Sequence, residues 1–179
     1  MHMLLAGKLG ALGVLLSDLG ERAAEDLSPS AAALLLTLSF HPAATATELA
    51  RIAGIAQPTA VRVLEGLGRR GLIARQRRSG RTAPLALTGA GKRRARLLLS
   101  ARLRAIGALL AGLSREERAG LERMLDKVLA AATTSRAFAR TTCRLCDHGA
   151  CRGRRCPIGS RATEVERAAG IASAGGKAC

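Results

Sequence analysis

The chain has 179 residues, of which 48% are hydrophobic and 1% aromatic, and its 29 basic and 13 acidic residues leave a formal net charge of +16. This length and apolar content exclude a disordered chain and predict one ordinary domain with an appendage. The positive charge disfavours basic partners and makes nucleic acid the first partner to consider.

The near absence of aromatic side chains leaves Leu, Ala, Val and Ile to fill the core, which favours helices over sheets. The first helix is predicted over about residues 3–24, where Leu9, Leu12 and Leu16 belong to a helical repeat. The segment lacks the basic start and the cleavage site of a signal peptide. The sequence contains no run of about 18 uncharged apolar residues, so no membrane span is predicted. We therefore expect a cytoplasmic protein whose residues 1–27 form a dimerisation helix.

Start and stop signals predict two further helices. Ser28 and Pro29 supply an N-cap hydroxyl and a proline at the first helical position, and an apolar run continues this helix to about residue 40. The segment TATELARIAGI then predicts a short helix with Leu49 and Ile52 facing inward, which ends at Gly54. A tight turn follows this glycine.

A fourth helix and a hairpin come after the turn. The helix is predicted to begin at Gln57 and to end at Gly71, with Val61, Leu64 and Leu67 as its inner stripe. The segments LIARQRR and TAPLALT are separated by Ser-Gly and predict two short strands of a basic hairpin. A hairpin of this kind has the composition of a DNA-binding wing.

This order of elements predicts a mainly α-helical protein with a winged helix-turn-helix over residues 28–88. The second of the two short helices should enter the major groove by its N-terminal end, and the wing should contact phosphates or the minor groove. The residues predicted to contact DNA are Gln57, Thr59, Ala60 and Arg62 on the helix and Arg75, Arg77, Arg78 and Arg81 on the wing. Four arginines on one hairpin weigh against the simpler interpretation of a solvated charged face.

Two long helices are predicted after the wing. The first runs from Thr88 to about residue 113, and Ser114 with Glu117 then forms a capping box that starts a helix reaching about Arg140. Their leucine stripes present more apolar surface than a small wing domain needs, so we expect residues 89–140 to form a dimerisation region. The final segment, residues 161–179, has the composition of a loosely ordered tail.

The stretch from residue 45 to residue 91 resembles the winged helix-turn-helix of MarR-type transcriptional regulators. The resemblance includes the GLI that follows the recognition helix and the LTGAG that follows the wing. It extends more loosely to residue 140 through the order and lengths of the helices. The resemblance implies a homodimer that binds a pseudo-palindromic DNA operator, usually as a repressor, and that responds to a small-molecule effector.

Residues 143–158, CRLCDHGACRGRRCPI, contain four of the five cysteines at the spacing C-x2-C-x4-C-x4-C. In a reducing compartment such a cluster favours metal binding over disulfides. The short first gap lets two thiolates from one turn reach one metal, and the later pair can complete a four-sulfur shell. We therefore predict that residues 141–160 form a metal-binding loop with Cys143, Cys146, Cys151 and Cys156 as ligands.

The cysteine spacing does not decide which metal is bound. It equals that of a zinc knuckle with cysteine in the third position, which favours Zn²⁺. The Cys156-Pro157 pair is also typical of ligand runs for iron–sulfur clusters, which remain the alternative. A disulfide-forming or inert patch is the simplest remaining interpretation. His148 lies within the loop and is more simply a bystander than a ligand.

The sequence favours a DNA-binding transcriptional regulator responsive to a ligand, a metal or a redox signal. The alternative is a protein that coats nucleic acid without sequence preference through a knuckle-like module, although the missing aromatic residues argue against base stacking. An enzyme is not expected, because the sequence has no paired carboxylates, catalytic triad pattern or glycine-rich phosphate loop.

Overall fold

The computed structural model describes residues 3–76, 84–151 and 153–170. In chain order the elements are α1 (Met3–Ala24), α2 (Pro29–Phe40), α3 (Ala46–Ala53), α4 (Gln57–Arg69), β1 (Ile73–Arg75), β2 (Leu85–Leu87), α5 (Gly89–Ala108), α6 (Arg115–Ala132), α7 (Arg136–Thr142), a 3₁₀ helix (Gly153–Arg155) and α8 (Pro157–Ala168). The predicted mainly helical winged helix-turn-helix is confirmed.

Local capping explains where the first helices begin and end. Ser28 accepts the backbone N–H of Ala31 at the start of α2, and Thr45 and Glu48 form a reciprocal capping box at the start of α3. Gly54 ends α3 with φ +70°, a left-handed conformation that a residue without Cβ adopts readily. These signals placed α2 and α3 correctly from the sequence.

The main core surrounds α2, which is buried along almost its whole length. Leucines of α2, α3, α4 and α5 supply most of its volume, including the fully buried Leu34, Leu35 and Leu49. Alanines fill the positions where the helices approach most closely. The core is thus built from residues 24–98, with a few half-buried side chains packed against it, Leu145 among them.

The base of the wing is held by a short antiparallel ladder in which Ile73 faces Leu87 and Arg75 faces Leu85. Thr88 ties this ladder to α5, because its hydroxyl donates to the carbonyl of Gly71 at 2.7 Å and also accepts the backbone N–H of Gly91. Residues 77–83, which include the predicted wing arginines Arg77, Arg78 and Arg81, lie outside the described residues.

Both long helices after the wing end earlier than predicted. The last long helix ends at Ala132 rather than near Arg140, because the hydroxyl of Thr133 turns back to the Leu129 carbonyl and Ser135 caps a new helix by accepting from Phe138 N–H. Local hydroxyl bonds of this kind compete with helix continuation. The long helix after the wing likewise ends at residue 108 rather than near 113.

The predicted loose tail, residues 161–179, is also wrong for residues 161–168, which belong to α8 (Pro157–Ala168). Pro157 occupies the first turn of this helix, and the sulfur of Cys156 caps it by accepting Gly159 N–H at 3.2 Å. α8 packs against α6 and α7. Arg136 of α7 forms a half-buried ion pair with Glu166 of α8 at 2.8 Å, so the chain folds back on itself after the cysteines.

A large apolar surface remains exposed on three long helices. α1 buries only Ala24, and α6 buries none of its side chains. The exposed side chains include Leu4, Leu5, Leu9, Leu12 and Val14 on α1, Leu97 and Leu103 on α5, and Met124, Leu125 and Val128 on α6. By length and composition alone α1 could cross a membrane. The criterion of an uncharged apolar run did not identify this helix, because Lys8 and Asp18 interrupt the run.

Candidate nucleic-acid interface and cysteine cluster

The outward face of α4 carries most of the predicted helix contacts. Gln57, Thr59 and Arg62 are exposed there, and Gln57, Arg62 and Glu65 share one shallow surface. Ala56 at the N-cap contributes no side-chain hydrogen bond to the first turn. The backbone N–H groups of that turn are therefore available to a phosphate, which the helix dipole also attracts.

Ala60 corrects the sequence prediction. It is 0% exposed and belongs to the main core, so it has no surface to offer to a base edge. Val61, predicted to face inward, is instead 36% exposed. With about 100° per residue, burial of Ala60, Leu64 and Leu67 turns Val61 onto the outer face beside Arg62. Its methyl groups can contact a thymine methyl.

Arg75 is the wing arginine that the structure describes. It ends β1, is exposed and lies opposite Leu85 in the ladder. The backbone N–H of the next residue, Gln76, donates to Pro84 at 2.8 Å, so the two strands are still paired where the hairpin leaves the described region. Arg75 is therefore held at the base of the wing, next in sequence to the three arginines predicted farther along it.

A charged contact fixes the far end of α4. Asp26, in the turn between α1 and α2, accepts hydrogen bonds from Arg70 just after α4 and from Arg94 of α5. Arg94 also donates to the Ala24 carbonyl at 2.7 Å. The hydrogen bond from Arg94 is the main reason that the pKa of Asp26 lies below its usual value. The Asp26 carboxylate therefore joins the end of α4 to α5 and to the turn between α1 and α2.

The four cysteines meet in a second, smaller buried cluster. Cys143 ends α7 and Cys156 caps α8, and each is only 1% exposed. Cys146 and Cys151 are half-buried and pack against the same cluster. The other members of this cluster are two alanines, Ala139 and Ala162, and two larger side chains, Ile158 and Leu129.

Charged and polar groups surround the Cys146 thiol. Its hydrogen bond with the Cys143 side chain lowers the pKa of the Cys146 thiol, and Arg102 acts in the same direction, whereas burial, Cys156 and Asp147 oppose them. Within residues 3–76, 84–151 and 153–170, no three His, Cys, Asp or Glu side chains are already arranged to hold a metal ion. The predicted four-sulfur ligand set therefore stays a prediction.

A hydrogen bond from Thr141 and a ring contact of His148 join the cysteine loop to the helix-turn-helix. The Thr141 hydroxyl donates to the Arg51 carbonyl of α3 at 3.4 Å. The His148 ring stacks on Phe40 at 4.3 Å between centroids, while its Nε2 donates to the Cys143 carbonyl at 2.9 Å. Sequence reasoning missed these contacts, because no local pattern shows that residues 90 positions apart will meet.

Comparisons with known proteins agree with this geometry. Residues 25–82 match the sequence model of the MarR family. A MarR family protein from Bacillus stearothermophilus is 25% identical, with a TM-score of 0.63 over 69% of this chain and 89% of that one. The Mycobacterium tuberculosis MarR family protein Rv2887, solved with p-aminosalicylic acid, is 28% identical, with a TM-score of 0.58 over 69% and 97%.

The YusO protein from Bacillus subtilis has the same fold at 22% identity, with a TM-score of 0.62 over 72% of this chain and 94% of that one. No protein of curated function matches the sequence. These structures are covered almost completely, whereas part of the present chain has no counterpart in them.

Proposed function

Because this chain carries the winged helix-turn-helix of the MarR family, we propose that it is a sequence-specific, DNA-binding transcriptional regulator that acts as a homodimer. Repression is the expected direction, because most regulators of this kind act by occupying an operator. A soluble, cytoplasmic protein without enzymatic activity is part of the same proposal.

The observation that carries the proposal is the two-sided character of α4. Its inner side is anchored in the core by Ala60, Leu64 and Leu67. Its outer side presents Gln57 and Arg62, an amide and a guanidinium, which are the side-chain types that pair bidentately with adenine and guanine. The net charge of +16 supplies the long-range attraction to the duplex that any DNA-binding mode requires.

Dimerisation is supported by the apolar surface that α1, α5 and α6 leave uncovered. A soluble monomer rarely exposes so many large apolar side chains, whereas a second copy related by a two-fold axis would cover the same surface on both chains. Two reading heads, each consisting of α3, α4 and the β1–β2 hairpin, would then face two half-sites.

A small organic anion is the effector class that the structure favours. A groove of about 540 Å³ lies between α1, α2 and α5 and is lined mostly by apolar residues, together with two serines, the acidic Glu21 and the basic Arg102 and Arg144. It borders both the proposed dimerisation helices and the core that supports α4. Titration of the DNA complex with p-aminosalicylate, the ligand of the Rv2887 structure, tests this class, and release of DNA is the expected result.

The central test is selection of binding sites from a randomised duplex library, followed by competition between selected and random DNA. We expect an inverted repeat to be enriched. Arg62→Ala should weaken binding to the selected duplex by about 1–3 kcal/mol and relax one base preference. Arg75→Ala should weaken selected and random duplexes alike and make the salt dependence shallower by about one phosphate contact.

The matched control is Arg167→Ala, which removes the same charge from an exposed position in the last turn of α8, a helix that packs on α6 and α7. Enrichment of no sequence at all, with equal affinity for every duplex, would contradict the proposal and support the alternative of a non-specific nucleic-acid-binding protein.

A further inference from the structure

The fold draws together cysteines that the sequence spreads over fourteen positions. They come from the end of α7, from the turn after it, from the segment before the 3₁₀ helix and from the cap of α8, yet all four pack in or against one buried cluster. The fifth, Cys179, lies outside the described residues. Convergence of this kind is what a multidentate thiolate site requires.

The cluster lacks the apolar content to hold this region alone. Beside the cysteines it contains two alanines, Ile158 and the half-buried Leu129. Small cores of this size usually need coordinate or covalent cross-links. The ion pair of Arg136 with Glu166 joins α7 to α8 directly.

The surroundings suit a negatively charged metal–thiolate group. Gly159 N–H already donates to the Cys156 sulfur at the N-terminus of α8, and such second-shell bonds stabilise bound thiolates. A groove of about 500 Å³ beside Cys146 and Cys151 is lined by the guanidinium-bearing Arg102 and Arg144. Asp147, which also lines it, turns its carboxylate to the N–H groups of Gly149 and Ala150.

We propose that Cys143, Cys146, Cys151 and Cys156 bind one thiophilic metal centre through four thiolates, and that the loaded centre fixes α7 against α3 of the reading head. Each thiol releases its proton on binding, and the sulfurs draw together around the metal from the arrangement seen here. Zinc and an iron–sulfur cluster share this ligand chemistry. The ligand set is independent of the proposed function, whereas the link to α3 rests on it.

The link is physical. Cys143 follows directly on α7, which packs against α3. Thr141, two residues before this ligand, donates to the Arg51 carbonyl, and its methyl group lies 3.8 Å from the position that a Cβ on Gly54 would occupy. Gly54 is the first residue of the turn between α3 and α4. Order imposed on residue 143 is therefore transmitted over two residues to the turn that orients the recognition helix.

The first test uses the full chain purified without oxygen, with zinc, iron and acid-labile sulfide measured per chain. Zinc in a colourless protein would assign a mononuclear site, and iron with sulfide and visible absorbance would assign a cluster to the same thiolates. Cys146→Ser and Cys151→Ser should each weaken metal binding at least about 10-fold in chelator competition. These two side chains are half-buried, so their replacement leaves the fully buried pair in place.

Cys179→Ser is the matched control and should retain the full metal content. Far less than one metal per chain in the wild type after anaerobic reconstitution with either metal would overturn the site, as would full metal retention in both loop variants. Far-UV circular dichroism of each variant separates loss of metal from loss of fold.

The second test measures backbone hydrogen exchange in the loaded and the metal-free protein. Residues 46–53 of α3 should exchange at least about 5-fold more slowly when the centre is loaded, while residues 85–87 of β2 serve as the internal reference. Equal exchange of α3 in both states would overturn the link. Neither test involves DNA, so failure of the metal site leaves the proposed regulator standing, and failure of site selection leaves the metal site standing.

Discussion

Gly91 shows how one residue sets the distance between the wing and the helix after it. A Cβ at this position would lie 1.9 Å from the carbonyl oxygen of Leu72, a backbone atom that has no freedom to rotate away. The approach is reinforced by Thr88, whose backbone N–H donates to the same carbonyl at 3.1 Å. The LTGAG segment thus has a steric reason for its last glycine.

We predict that Gly91→Ala destabilises the protein by about 1–3 kcal/mol, because overpacking against backbone outweighs the roughly 1 kcal/mol that alanine contributes in a helix. Thermal unfolding followed by circular dichroism measures this loss of stability. Gly107→Ala in the same helix meets nothing within 4 Å and should be neutral or stabilising by up to about 1 kcal/mol. Equal stability of the two variants would contradict the close approach.

At the residue scale, the sequence predicted the position of α4 better than its rotation. Gln57 and Pro58 gave the start of the helix, and Leu64 and Leu67 of the predicted inner stripe are buried, but its third member, Val61, is not. The structure buries Ala60 instead, in the main core. Close packing between helices is a tertiary property that hydrophobicity alone does not encode.

At the scale of elements, Asp26 joins three helices through one carboxylate. Its partners Arg70 and Arg94 belong to the segment after α4 and to α5, and Glu25 beside it also pairs with Arg94 at 3.3 Å. Arg94 is half-buried, but Arg70 and both carboxylates are exposed to solvent, so the contribution of each pair to stability is small. The orientation of α4 relative to α1 is the property that depends on them.

We predict that Asp26→Asn lowers the Tm at pH 7 by at most about 3 °C. The pKa of Asp26 is depressed in the folded state, so its contribution is fully present above the ordinary aspartate pKa of about 3.9 and is lost as the pH falls through the lowered value. The Tm difference from wild type should therefore be constant between pH 7 and about 5 and vanish in acid.

Unfolding curves collected across this pH range provide the measurement. Glu164→Gln is the control, since its ion pair with Arg161 lies within α8 and joins no second element. A difference that grows as the pH falls would show that the asparagine acts through something other than the lost charge.

The break between α6 and α7 marks the limit of prediction for elements. The sequence indicated one helix to Arg140, since Thr and Ser occur inside helices as well as at their ends. Three adjacent hydroxyl residues, Thr133, Thr134 and Ser135, lie at the break, and the turned chain is held by α8, which packs on both α6 and α7. The sequence also did not predict that Cys156 caps α8, because the cysteine spacing indicates a metal ligand at this position.

At the scale of the whole molecule, the uncovered apolar surface is what supports the proposed dimer. We predict that Leu12→Glu with Val128→Glu converts a dimer into monomers, because each buried leucine or valine contributes about 1.5–3 kcal/mol and an unpaired carboxylate adds a penalty. The dissociation constant should rise at least about 100-fold. Analytical ultracentrifugation across a range of protein concentrations measures it.

Arg167→Glu places the same new charge on an exposed position of α8 and should leave the dimer intact. A wild type that stays monomeric at every concentration and partitions onto lipid vesicles would contradict the dimer and would assign α1 to a membrane surface instead.

The order of the elements along the chain has a consequence for how the protein matures. Residues 24–98 close the main core, and Cys143 leaves the ribosome about forty-five residues after the last of them. Since segments fold in the order in which they are synthesised, a complete DNA-binding head exists before the first cysteine is available. On the proposed function, newly made molecules would therefore meet DNA before α8 folds back, and the proposed metal would be acquired last.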